Sequence, residues 1–122
     1  MKEKAVRSYR DLIVWQKAME LVVEIYQRTR AFPGDEMFGL VSQMRRAAVS
    51  IPSNIAEGYG RTSTGEYKQF LGHARGSLWE IGTQILIAQK LNYLNDEEAS
   101  DLLKLATETG RILHGLLSSL KK

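Results

Sequence analysis

The apolar residues of this chain return every three or four positions in four long runs, and no segment of comparable length alternates as a strand would. An amphipathic helix must bury its apolar stripe, so four such runs joined by short turns leave few solutions besides an all-α, antiparallel, up-down-up-down four-helix bundle. The breaks between runs carry recognisable chemistry. "AFPGDE" halts the first helix, expected over about Asp11 to Arg30, because Pro33 and Gly34 interrupt helical hydrogen bonding. Asp35 is a plausible N-cap for a second helix over about Glu36 to Tyr59. Ser63 with Glu66 reads as a capping box opening a third helix that runs to about Leu91. Asn95 with Glu98 reads as another, opening a fourth that continues to about Leu120.

The expected inner stripes are Leu12, Trp15, Met19, Val22 and Ile25 in the first helix, and Met44, Ala48, Ile51 and Ile55 in the second. The third contributes Tyr67, Leu71, Ala74, Leu78, Ile81, Ile85 and Ala88, and the leucine-rich fourth approaches a heptad seam. At 122 residues, 43% of them hydrophobic, the chain has material for one core, so residues 11–122 read as one domain behind a basic arm at 1–10. There is no cysteine, which removes disulfides, thiolate metal sites and cysteine nucleophiles. With no apolar leader and no window long enough to span a bilayer, the expectation is a soluble, unprocessed protein of the cytoplasm, with no membrane partner.

The stretch "RRAAVSIPSNIAEGYGR", residues 45–61, is the oddest in the chain. Pro52 lacks the donor that would bond Ala48, so a bend is expected near residues 48–52. Arg46, Ser50, Asn54, Glu57 and Arg61 share one face, and the third helix carries a similar ladder of His73, Ser77, Glu80 and Gln84. If the two ladders meet, Arg45 or Arg46 can pair with Glu80, and Asn54 can reach Ser77 or His73, giving a structural polar network. If instead they face solvent, Arg45, Arg46, Arg61, Lys68 and Arg75 are candidates for contact with the phosphates of RNA or DNA, or with an acidic nucleoprotein partner. The formal charge of +3, with its excess in residues 1–61, permits such contact and is equally compatible with an ordinary basic surface. Ala47, Ala48, Ser50 and Gly58 are small enough to let a neighbouring helix come close.

Catalytic and cofactor signatures are missing. His73 and His114 lie on different helices without the Glu-x-x-His spacing of metal-binding bundles, and no phosphate-binding loop, dinucleotide fingerprint or serine elbow occurs. His73 and Glu80 are two helical turns apart, about 10 Å by helix rise, too far for direct proton exchange. Gly58 and Gly60 read as a helix ending in a tight turn. The expectation is a non-enzymatic protein with no cofactor and no metal. Trp79 and Leu86 project away from the third helix's inner stripe, which makes them candidates for an oligomer interface or for packing at the edge of their own bundle.

"DLIVWQKAMEL", "FPGDEMFGLVSQMRRAAVSIPSNIAEGYGR" and "GSLWEI" resemble the signature segments of the 23S ribosomal RNA intervening-sequence family, over about Tyr9 to Tyr93. The resemblance implies a four-helix bundle that assembles as a homopentameric ring or barrel. The family's name records a gene location inside ribosomal RNA genes and not a reaction. A related branch, the accessory variability proteins of diversity-generating retroelements, implies by analogy a basic pentamer that binds a reverse transcriptase and nucleic acid. Two functions therefore stand: an oligomeric bundle binding nucleic acid or a nucleoprotein, or a structural or protein-interaction module without that affinity.

Overall fold

The computed structural model describes residues 5–120, so the first four residues of the basic arm lie outside it. Four α-helices follow one another: α1 (Ile13–Thr29), α2 (Leu40–Tyr59), α3 (Thr64–Lys90) and α4 (Asp96–Ser119). Short 3₁₀ turns at Tyr9–Asp11 and Gly34–Glu36 precede α1 and α2, and no strand occurs among the described residues. Each helix packs against two others, α1 and α3 each touching both α2 and α4. Contacts near both ends of a pair fix its direction. Gly58 lies against Phe70 while Ser50 meets Ser77, so α2 and α3 run antiparallel. Lys17 pairs with Glu108 and Arg28 with Glu98, so α1 and α4 do too.

The termini follow local chemistry. Ser8 and Asp11 cap the first turn reciprocally, the Ser63 hydroxyl accepts from the Glu66 N–H, and Asn95 with Glu98 forms the expected capping box. Asn92 adopts φ 64°, the left-handed geometry asparagine tolerates better than most residues, and the Tyr93 N–H reaches back 2.9 Å to the Ala88 carbonyl to close α3.

The second helix starts later than its sequence suggests. Asp35 caps nothing; it sits in the 3₁₀ turn, and α2 begins at Leu40 after Gly39. Glu36 takes over the task, its Oε1 accepting the Leu40 N–H at 3.1 Å while Oε2 accepts the Tyr93 hydroxyl at 2.9 Å. α2 then continues without interruption through the buried Pro52. On either side of that residue, Ser50 donates to the Ala47 carbonyl at 3.0 Å and Asn54 donates to the Ser50 carbonyl at 2.8 Å.

One core cluster draws on all four helices. The stripe expected for α2 is fully represented in it, as is that of α3 except Tyr67, which is half-buried at the margin, and Ala99, Leu102, Ala106 and Leu113 represent α4. In α1 the buried positions are Val14, Ala18, Leu21 and Ile25, a stripe rotated from the one expected. Trp15 and Val22 pack at its margin and Met19 is exposed. The first helix is apolar around more than half its circumference, and periodicity alone did not choose between two overlapping stripes.

Candidate functional site

The two polar ladders do face each other, but they do not form a buried network. Their one direct contact is the short hydrogen bond between the Ser50 and Ser77 hydroxyls. Arg46 and Glu80 line an open crevice of about 310 Å³ beside this pair without forming an ion pair. Asn54 turns back onto its own helix instead of reaching Ser77 or His73, and exposed His73 packs edge-on to Phe70 at 6.0 Å. Glu57 pairs along the helix with Arg61 at 2.8 Å. These residues are half-buried or exposed, so water can solvate the charged members, and a close ion pair gains little there.

Arg45 points the other way, towards α1. Its Nε donates to the Thr29 hydroxyl at 3.1 Å, and its guanidinium lies 4.5 Å from the centre of the Tyr26 ring. Thr29 is itself buried, its hydroxyl donating to the Ile25 carbonyl at 2.7 Å, which fixes the acceptor that positions Arg45. Arg61 sits over Phe70 at 4.6 Å, and Arg75 lies 5.4 Å from the centre of the Trp79 ring. Lys68 is half-buried near the start of α3. The five candidate cations are therefore placed singly: Arg45 over α1, Arg46 over the α2–α3 crevice, Arg61 and Lys68 at one end of the α2–α3 pair, and Arg75 beside α4.

Apart from Arg61, which pairs with Glu57, their charge environments differ sharply from that of the α1–α4 seam. There, Arg28 meets Glu24, Glu98 and Asp101 at 3.4 to 3.8 Å, and Lys17 meets Glu20 and Glu108. Arg45, Arg46, Lys68 and Arg75 form no ion pair among the described residues. Three of the candidate arginines lie over aromatic rings, which restricts a long side chain while leaving hydrogen-bond donors available.

Trp79 is 68% exposed and Leu86 45%, and both line an α3–α4 groove with Arg75 and His114. Two features went unread in the sequence. Phe38 projects from the turn before α2 with 96% of its surface exposed, beside half-exposed Met37; two adjacent apolar residues between a break and the next helix were the available signal. The other is the outer face of α4, where Lys104 and Arg111 form no ion pair among the described residues. Among the described residues no cluster of three potential metal ligands occurs, and no helix is long and apolar enough to cross a membrane.

Residues 10–115 match the family model described as 23S rRNA-intervening sequence protein. Among solved structures, the fold is similar to a crystal structure from Bacteroides thetaiotaomicron, described as a protein of unknown function from the S23 ribosomal protein family. The two share 20% sequence identity at a TM-score of 0.81, over 88% of this chain and 96% of that one, a likeness that establishes the fold. No curated protein matches the sequence.

Proposed function

The chain belongs to the 23S rRNA-intervening sequence protein family, and from that premise we propose that it is a non-enzymatic, oligomeric bundle that binds nucleic acid or a nucleoprotein through basic surface residues. The observation that carries this reading is the contrast in charge pairing. Cations on the α1–α4 seam are held by carboxylates, whereas Arg45, Arg46, Lys68 and Arg75 have none among the described residues. Phosphates supply the missing anions, and the family's name points to RNA without stating a reaction. The lack of cysteine suits a reducing compartment, and the reading places the protein in the cytoplasm.

Assembly is part of the proposal. Phe38 and Met37 at one turn, and Met19 and Val23 on α1, are apolar surfaces of the kind that a further copy covers. The same Phe38 favours the second reading, a protein-interaction module with no affinity for nucleic acid. Fluorescence anisotropy with labelled single-stranded and duplex RNA and DNA separates the two. The proposal expects binding at about 50 mM salt that weakens steeply as salt rises, with a shallower slope when Arg45, Arg61 or Lys68 is replaced by alanine. Absence of binding at that salt contradicts it. Light scattering tests assembly separately, and a monomer would contradict that part.

A further inference from the structure

The seam between α3 and α4 carries a groove of about 710 Å³ bordered by Arg75, Trp79 and His114. A second hollow of about 370 Å³, bordered by Lys104 and Arg111, continues it: Leu103 and Thr107 line both. Together they make one furrow along the outer face of α4. Asp96 is the carboxylate that lines it, and its Oδ1 already accepts a hydrogen bond from Gln89 at 3.0 Å. Arg75, Lys104 and Arg111 form no ion pair among the described residues. Glu98, Asp101 and Glu108 of the same helix are engaged with Arg28 and Lys17 of α1.

We propose that this furrow binds single-stranded nucleic acid, with a base stacked on Trp79 and phosphates held by Arg75, Lys104 and Arg111. The inference rests on the nucleic-acid reading above and gives it a place. An exposed indole beside a guanidinium offers a flat surface to an unpaired base, whereas a base inside a duplex has both faces covered by its neighbours. The helix from Asp96 to His114 is about 27 Å long at about 1.5 Å per residue, room for about four extended nucleotides, the lower end of single-strand site sizes.

The test uses the whole protein and a labelled adenylate dodecamer, as RNA and as DNA, at about 50 mM salt. Replacing Lys104 and Arg111 together with alanine is expected to weaken binding by at least about tenfold, from the loss of two phosphate contacts. Trp79→Ala is expected to weaken it by at least about fivefold, the loss of a weak base stack. In a Trp15→Phe protein, Trp79 is the one remaining tryptophan, and its emission is expected to fall as the oligonucleotide is added. If the wild type binds but these variants bind equally well while Arg45→Ala or Arg61→Ala reduces binding, the furrow assignment is overturned and the broader function stands. If Trp79 emission responds to protein dilution and not to the oligonucleotide, the furrow is a contact between copies and the assignment is likewise overturned. If the wild type binds no oligonucleotide, both fail.

Discussion

Gly58 lies where α2 and α3 approach closely, and Gly58→Ala should loosen that end of the bundle. A Cβ added there would lie 2.8 Å from Phe70 Cβ, 3.1 Å from Tyr67 Cδ1 and 3.3 Å from the Tyr67 carbonyl oxygen. The nearest of these atoms is anchored to the α3 backbone, so relief requires the helices to part by the better part of an ångström. Overpacking of this kind costs about 2 to 3 kcal/mol, offset by about 1 kcal/mol from alanine's better helix propensity. The net loss is therefore about 1 to 2 kcal/mol, a fall in Tm of about 4 to 8 °C for a domain of this size. Gly76→Ala is the internal control: the same substitution in an exposed position of α3, with nothing within 4 Å of the added carbon. It should raise stability by about 1 kcal/mol. Thermal and urea unfolding at one fixed protein concentration measure both, since assembly makes Tm concentration-dependent. A Gly58→Ala protein as stable as the wild type would refute the close-approach argument.

Two further outcomes follow from particular contacts. Gln84 is buried with its Oε1 unpartnered, and its Nε2 makes only a long 3.4 Å contact to Glu80, so Gln84→Met should stabilise the fold by about 1 kcal/mol in urea unfolding; a loss of that size would show that the amide is satisfied in solution. The Leu40 N–H and then the Tyr93 hydroxyl hold the Glu36 carboxyl below its ordinary value, so its contribution is present above the unfolded pKa and is lost as pH falls through the lower folded one. The same bond raises the Tyr93 phenol, whose contribution is present below its unfolded pKa and is lost as pH rises through the folded one. Tyr93→Phe should therefore flatten the Tm profile at its acid and alkaline ends, and an unchanged profile would contradict the linkage.

Much of the fold could be read from residue spacing, because caps and breakers act locally: Ser63, Asn95 with Glu98, and Pro33–Gly34 mark boundaries with chemistry that does not depend on the rest of the chain. The start of α2 could not, since Glu36 caps it from inside a preceding turn and is held there by Tyr93, 57 residues away. The two ladders meet at Ser50 and Ser77, whereas Arg45 finds its partners Tyr26 and Thr29 on α1. Helical spacing identifies which residues share a face and says nothing of which neighbour a long arginine chooses. Gly58, whose small size in the sequence admits a neighbouring helix, sits against α3 just before α2 ends at Tyr59, and the following Gly60 has an ordinary right-handed backbone. The cations of α4 were missed because its leucine seam dominates the pattern; the positions between the leucines carried the information.

The salt dependence of single-strand binding tests the central claim most directly. Three phosphate contacts per site give a log–log slope of about −2, so affinity should fall about 18-fold between about 50 and 200 mM salt. The protein with Lys104→Ala and Arg111→Ala retains one contact and should lose only about threefold over the same range. A wild-type protein that does not bind, or a slope unchanged by removing both cations, would contradict the account.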